Sequence, residues 1–159
     1  MESVAKILLV GSHATLIGSI AARLEYEHHC TVVGAIGSPS QVAKMLAEQA
    51  ADIVLMDMDG VERKHLSSLR VLRAAHPDLR IILISATVDD ARIEQALKVG
   101  ANGFMAKDAL PTTIARAIRE VLAGGAHFPD GIRSRIVLDS CGLRLAESTT
   151  EGEDHHVPE

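Results

Sequence analysis

The chain has 159 residues, a length that fits one domain with a tail better than two domains. Hydrophobic residues make up 47% of it and aromatic residues only 2%, so aliphatic side chains must fill the core of a globular protein. A net charge of −5 argues against a surface built for the nucleic-acid backbone, and no apolar run reaches the roughly 20 residues of a membrane helix.

The opening residues lack the pattern of a signal peptide, and the sequence predicts a cytoplasmic location with no membrane partner. The two cysteines, Cys30 and Cys141, are too few for a disulfide framework. We therefore expect both to be reduced thiols.

Short aliphatic runs predict five strands, because each run is too short for a helix and ends at glycine or a polar residue. They span residues 6–10, 31–36, 52–57, 80–85 and 102–106. Apolar residues at helical spacing follow each run and predict five helices, the first extending to Glu27 and the third carrying Leu66, Leu69 and Leu72.

Helix boundaries are marked by residues with specific backbone preferences. Ser38-Pro39 predicts a capped helix start, and His76-Pro77 predicts a helix end. Asp89-Asp90 predicts the start of the fourth helix, which Gly100 ends, and Gly124-Gly125 ends the fifth.

Alternating strands and helices predict an α/β fold, with a parallel sheet, right-handed crossovers and helices on both faces. The expected domain covers residues 1–125, and residues 126–139 form a C-terminal extension with a short helix over 129–138. Residues 140–159 are polar and acidic, and are expected to form a flexible tail or linker. His155-His156 in this tail is expected to be solvated.

Residues able to handle a phosphoryl group follow several predicted strands. Asp57, Ser85 and Lys107 end the third, fourth and fifth strands, whose carboxyl ends face one crevice in an open parallel sheet. Asp57 would be the attacking carboxylate, Lys107 would neutralise transferred charge, and Ser85 would donate a hydrogen bond. The alternative is an ordinary Asp57–Lys107 ion pair beside a serine that only ends a strand.

Three segments together resemble response-regulator receiver domains, specifically those whose members carry a LuxR-type (LuxR/NarL-type) helix-turn-helix output. They are Asp52-Ile-Val-Leu-Met-Asp57, Leu83-Ile-Ser-Ala86 and Gly100-Ala-Asn-Gly-Phe-Met-Ala-Lys-Asp-Ala109, and the helix running to Ala74-Ala-His-Pro-Asp78 also matches in length. The similarity covers about residues 6–138.

The resemblance implies a flavodoxin-like (CheY-like), doubly wound, five-stranded parallel sheet with helices on both faces. It puts Asp57 at the phosphoacceptor position, Ser85 at the switch hydroxyl, Lys107 at the phosphate-binding lysine and Phe104 at the switch aromatic. It also implies a role in signal transduction and transcription regulation, with a sensor histidine kinase or another signalling protein as partner. DNA would be bound only through a helix-turn-helix domain that these 159 residues do not contain.

The chain departs from the family where members carry two adjacent acidic residues that hold Mg²⁺, because Gly11-Ser12 occupies those positions. The loop after Asp57 also lacks the usual Met-Pro-Gly. With these degenerate metal positions we expect weak or absent Mg²⁺ binding, no resident cofactor and little Mg²⁺-dependent phosphorylation. We also expect a direct Asp57–Lys107 salt bridge.

Two other residues, Asp59 and His13, are candidate metal ligands. Asp59 could bring its carboxylate into the crevice and form a weak site with Asp57, and His13 could bind a softer metal than Mg²⁺. For both, the plainer expectation is a loop residue that faces solvent.

Several functions stay open. The first alternative is a functional Asp57 phosphoacceptor, and the second is a small-ligand sensor that uses the room left by Gly11, Ser12 and Ser85. An enzyme is not expected, because the chain lacks the glycine-rich dinucleotide and phosphate loops and shows no catalytic triad.

Apolar stripes over about residues 89–122 indicate either core packing or a homodimer surface; they comprise Ile93, Leu97, Ile114, Ile118 and Leu122. An acidic linker of this kind leads into a DNA-binding module in relatives. Two readings therefore remain, a chain that continues past Glu159 into such a module, which we favour, and a stand-alone receiver.

Overall fold

The computed structural model describes residues 4–25, 30–59, 63–140 and 142–147. Five parallel strands form its central sheet in the order β2-β1-β3-β4-β5. The strands are β1 (Ala5–Val10), β2 (Cys30–Ile36), β3 (Ile53–Asp57), β4 (Arg80–Ser85) and β5 (Gly103–Ala106). The predicted flavodoxin-like sheet is confirmed, with strand boundaries within one residue of those expected.

Five α-helices connect and flank these strands. They are α1 (Ala14–Glu25), α2 (Val42–Glu48), α3 (Arg63–Ala75), α4 (Asp90–Lys98) and α5 (Pro111–Leu122). The first helix was expected to reach Glu27, but residues 26–29 lie outside the described part of the chain. Within the described residues, no helix is long and apolar enough to span a bilayer.

The sheet separates two hydrophobic clusters, which explains why its central strands are apolar on both faces. One cluster packs α1 and α5 against the sheet through Ile17, Ile20, Leu24, Ile114, Ala117, Ile118 and Val121. The other packs α3 and α4 on the opposite face through Leu69, Leu72, Ile93, Ala96 and Leu97. The side chain of Leu66 lies outside the described residues.

The predicted helix boundaries have a visible backbone cause. Asp89 caps α4 by accepting a hydrogen bond from the Arg92 amide, and Gly100 follows that helix with a φ of +81°. Ser38 accepts from the Ser40 amide, but the turn that it caps is a 3₁₀ turn (Pro39–Gln41) that leads into α2.

The C-terminal segment differs from the expected helix and flexible tail. A 3₁₀ turn (Arg133–Arg135) is followed by an antiparallel hairpin of β6 (Ile136–Asp139) and β7 (Gly142–Leu145). A helix over 129–138 is broken at Gly131, which has a φ of +82°. The β-branched pair Ile136-Val137 then favours a strand.

The hairpin docks on α4 rather than extending into solvent. Leu145 is buried in the core cluster, its amide donates to Glu94 Oε2, and the Arg135 guanidinium pairs with the Asp90 carboxylate. Residues 142–145, expected to lie in the flexible tail, instead form β7, and Leu145 is buried. Cys141 and residues 148–159, including His155-His156, lie outside the described part.

Candidate functional site: the crevice at the strand ends

Sheet topology creates one crevice at the carboxyl ends of the strands. The chain leaves β1 for β2 on one side and reaches β3 on the other, and ligands bind at such a switch point in open α/β sheets. Pairing of Asp57 with Ile84 and of Ser85 with Ala106 brings the ends of β3, β4 and β5 to the same edge. The three residues expected to share a site, Asp57, Ser85 and Lys107, therefore do so.

Asp57 is almost fully buried at the floor of this crevice, with 2% of its surface exposed. Its Oδ1 accepts a hydrogen bond from the Asp59 amide at 2.9 Å. Its Oδ2 has no hydrogen-bond partner among the described residues, although Lys107 Nζ lies 3.3 Å away. The predicted Asp57–Lys107 ion pair is therefore present, but it is longer than the 2.8 Å contact that Lys107 makes with Asp59.

Lys107 makes its shorter contact with Asp59, whose Oδ2 lies 2.8 Å from Nζ. The same oxygen accepts from the Ala86 amide at 2.8 Å. The other carboxylate oxygen of Asp59 accepts from Ser85 Oγ at 2.7 Å and from Arg92 Nη1 at 2.8 Å. Asp59 was expected to face solvent, but it lies in the crevice because four donors from three separate segments converge on its carboxylate.

These contacts determine the charge state of the cluster. Burial alone would raise the pKa of the Asp59 carboxyl, but hydrogen bonds from Lys107, the Ala86 amide and Ser85 hold that pKa well below its usual range. Burial likewise opposes the charge on Lys107, whereas the hydrogen bond with Asp59 and the negative charge of nearby Asp57 raise the pKa of its ammonium. Both groups are therefore ionised at neutral pH.

Lys107 and Ser85 are held by the backbone as well as by their side chains. The Lys107 amide donates to the Ser85 carbonyl at 3.0 Å, and the Thr87 amide donates to Ser85 Oγ at 3.1 Å. Arg23 on α1 donates to the Lys107 carbonyl at 3.4 Å and to that of Ala109 at 3.3 Å. The loop after β5 is thus fixed from both sides.

The end of β1 contributes little charge to the crevice. Gly11 is half-buried, whereas Ser12 and His13 are exposed. His13 Nδ1 lies 3.8 Å from Asp57 Oδ2, and the histidine side chain is 64% exposed. Within the described residues no group of three or more His, Cys, Asp or Glu side chains is arranged to hold a metal ion.

Phe104 lies in the hydrophobic core, with none of its surface exposed. The apolar stripes of α4 and α5 are likewise core: Ile93, Leu97, Ile114 and Ile118 are all buried, and Leu122 is half-buried. These stripes therefore do not form the exposed dimer surface that was one of the two interpretations.

The sequence analysis did not identify Arg92 as a residue of the crevice, and it expected Asp59 to face solvent. Arg92 lies three residues after the capping Asp89, and the first turn of α4 directs its guanidinium to Asp59 Oδ1 and, at 3.3 Å, to Ser85 Oγ. The spacing between Ser85 and Arg92 could have indicated this contact, since a basic residue in the first turn of the helix that follows a strand-end serine can reach back to the crevice.

Comparison with known proteins supports a single family. The model of the response regulator receiver domain matches residues 7–119. A transcriptional activator protein, ExaE of Pseudomonas putida, is 31% identical over 130 residues, and the response regulator UvrY of Escherichia coli is 27% identical over 142 residues. The matches cover 82% and 89% of this chain but only 61% and 65% of those relatives.

Solved structures agree on the fold. A LuxR-family two-component response regulator from Aurantimonas superposes with a TM-score of 0.73 at 25% identity, covering 83% of this chain and 94% of that one. The receiver domain of a putative response regulator, NarL of Mycobacterium tuberculosis, gives 0.68 at 24% identity, covering 77% and 98%. The family model covers well over half of the chain, and this chain belongs to the response regulator receiver domains.

Proposed function

We propose that this chain is an atypical receiver domain that passes its signal through protein–protein contacts, with weak or no Mg²⁺-dependent phosphorylation of Asp57. One observation carries the proposal. The charged side chains of the crevice already neutralise one another, because Asp57 and Asp59 face Lys107 and Arg92.

The donors that remain do not fit Mg²⁺. This ion needs near-octahedral oxygen coordination, usually with one or two carboxylates. Gly11 supplies no side-chain ligand and Ser12 only a hydroxyl, while Asp57 Oδ2 faces the Lys107 ammonium. Asp59, the other candidate ligand, is engaged on both oxygens by four donors.

A poor metal site has a direct consequence for reactivity. Phosphoryl transfer depends mainly on positioning and on neutralising charge, to which a metal contributes much. Its loss should cost several kcal/mol of transition-state stabilisation, or about 10³-fold or more in rate. We therefore assign Asp57 the phosphoacceptor position without the usual reactivity, with Ser85, Lys107 and Phe104 at the switch and phosphate-binding positions.

The partners follow from the family and remain part of the proposal. They are a sensor histidine kinase or another signalling protein and, in a homodimer, a second copy of this chain. The curated relatives named above are regulators considerably longer than this chain, so a role in transcription would require DNA binding by a further domain. We also propose a cytoplasmic location and a receiver domain that ends at residue 125.

A second candidate, a working phosphoacceptor, is favoured by one feature of the site. Asp57 Oδ2 is buried and has no hydrogen-bond partner among the described residues, and such an oxygen is available for nucleophilic attack. A small-ligand sensor is the third possibility, and a thermal-shift screen of nucleotides and metabolites would detect its ligand.

Incubation with acetyl phosphate and Mg²⁺, followed by intact-mass analysis, separates the first two candidates. The proposal predicts no added phosphoryl group on the native chain, with the Asp57→Asn variant as the matched control. A gain of one phosphoryl group that disappears in Asp57→Asn would overturn the proposal in favour of the working phosphoacceptor.

A further inference from the structure

We propose that the cavity between α5 and the segment that follows it binds a small organic anion that also carries hydroxyl groups, such as a sugar phosphate or a sugar acid. Arg116 and Arg133 bind the anionic group. His127 and Asp130 accept hydrogen bonds from the hydroxyls. The inference goes beyond the proposed function, because none of the residues that line this cavity belongs to the crevice at the strand ends.

The cavity has a volume of about 500 Å³, which is within the range of small-molecule sites in proteins. Three stretches of chain enclose it: the C-terminal half of α5, residues 126–131 and the 3₁₀ turn (Arg133–Arg135). A chain reversal at Gly124, which has a φ of +94°, brings the second stretch back against α5. Phe128 and Ile132 are buried in the core cluster, so this wall of the cavity is anchored to the fold.

His127 is fixed to the edge of the central sheet by its backbone. Its amide donates to the Asn102 carbonyl at 3.1 Å, and its carbonyl accepts from the Phe104 amide at 2.8 Å. A Cβ on Gly103 would lie 3.0 Å from the His127 carbonyl oxygen, so glycine at that position permits the close approach. The His127 side chain is only 10% exposed and lines the cavity.

One nitrogen of the His127 ring is left for a ligand. Nδ1 lies 2.7 Å from Glu120 Oε1. The hydrogen bond with His127, together with the charges of Arg116 and Arg133, holds the pKa of the Glu120 carboxyl below its usual range, so the carboxylate accepts and Nδ1 donates. Nε2 has no hydrogen-bond partner among the described residues and is not sealed off from solvent. With the ring proton on Nδ1, a neutral imidazole presents Nε2 as an acceptor, which suits a ligand hydroxyl.

Arg116 and Arg133 supply donors that the protein itself does not use. Both line the cavity and are exposed, and among the described residues neither guanidinium forms a hydrogen bond or an ion pair. Both lie near enough to Glu120 to lower the pKa of its carboxyl, so the two guanidiniums converge on one part of the cavity. The planar donor fork of arginine matches carboxylate and phosphate groups, and Glu120 already accepts from His127.

The mixture of charges determines the class of ligand. The two arginines balance Glu120 and Asp130, so the cavity has no excess of positive charge that would favour a bare inorganic anion. A ligand with an anionic group at one end and hydroxyls at the other uses both kinds of group. The guanidiniums donate to the anionic group, while His127 Nε2 and the Asp130 carboxylate accept from the hydroxyls.

Titration with glucose 6-phosphate and with gluconate, followed in ¹H–¹⁵N spectra, tests the inference and distinguishes a phosphate from a carboxylate ligand. We expect saturable shifts of the Phe128 and Gly131 amides with at least one of these probes, and none with glucose, which lacks the anionic group. Arg116→Ala and Arg133→Ala should each weaken binding about tenfold or more, since each removes a charge-assisted donor. Arg119→Ala is the matched control, because it removes an exposed arginine of the same helix that does not line the cavity.

The side-chain resonances of His127 should move with the same affinity, whereas those of the exposed His76 stay fixed. Three results would overturn the inference: no saturable shift with either probe at millimolar concentration, equal weakening by Arg116→Ala and Arg119→Ala, or unchanged His127 resonances on binding. Shifts of the Ala86 amide in place of those of Phe128 would assign binding to the crevice and would also overturn it.

Discussion

Arg92 Nη1 lies 2.8 Å from Asp59 Oδ1, so the first turn of α4 is joined by an ion pair to the loop that follows the central strand β3. The arginine side chain is 37% exposed, and the contact is reinforced by a second hydrogen bond from Nη1 to Ser85 Oγ. These contacts link the first turn of α4 directly to the crevice.

Replacing Arg92 with alanine should loosen α4 without unfolding the sheet. A partly exposed ion pair contributes about 1 kcal/mol or less, so the global stability should fall only slightly. Amide exchange in α4 should rise, while exchange in β1, β3 and β4 stays unchanged. Lys98→Ala, an exposed cation on the same helix, is the control, and equal exchange in both variants would show that the Asp59 contact does not position α4.

Acid should weaken the same network. The pKa of Asp59 is lowered by folding, so the unfolded chain binds more protons in the interval between the folded pKa and the unfolded value of about 3.9. The contribution of Asp59 is complete above that unfolded value and is lost as the pH falls through the folded pKa. The melting temperature of the native chain should therefore decrease more between pH 5 and about pH 3 than that of Asp59→Asn. Parallel curves for the two proteins would contradict this.

The C-terminal hairpin should detach when its charged anchor is removed. A two-stranded hairpin is marginally stable alone, so β6 and β7 depend on Leu145 burial and on the pairing of Arg135 with Asp90. We expect Arg135→Ala to raise amide exchange and protease cleavage over residues 136–145 while the five-stranded sheet stays protected. Arg133→Ala, an exposed neighbour in the same 3₁₀ turn, should leave the hairpin protected; if both variants behave alike, the anchor is elsewhere.

Restoring the acidic pair should restore the metal site. Gly11→Asp with Ser12→Asp puts two carboxylates beside Asp57, and we expect Mg²⁺ binding together with phosphorylation by acetyl phosphate, measured by intact mass. A Cβ at Gly11 would lie 2.8 Å from Ile17 Cδ1, the mobile end of a side chain, so a small shift accommodates it.

Gly18→Asp with Ser19→Asp is the matched control for that variant. It makes the same two changes at exposed positions of α1, with nothing within 4 Å of a Cβ at Gly18. A Mg²⁺-dependent mass gain in the control as well would show that added charge alone suffices, and no gain in either variant would contradict the expected rescue.

The sheet and the Asp57–Lys107 juxtaposition could be predicted because they follow from patterns along the chain. Aliphatic runs ended by polar residues fix the strands, and parallel strands bring their carboxyl ends together. The hairpin could not be predicted, since the run at Ile136-Val137-Leu138 is too short to distinguish a strand from a helix, and its burial depends on α4.

The Asp59–Arg92 pair was missed for a different reason. A side chain in a loop takes its direction from whichever donors tertiary packing brings near it. Here the donors come from residues 26 to 48 positions further along the chain.

Calorimetric titration of the native chain with Mg²⁺ tests the central claim most directly, since that claim is that the crevice lacks the free negative charge to capture this ion. We predict no saturable heat at millimolar Mg²⁺, with the same trace for the native chain and Asp57→Ala. A one-to-one isotherm in the native chain that vanishes in Asp57→Ala would contradict the account.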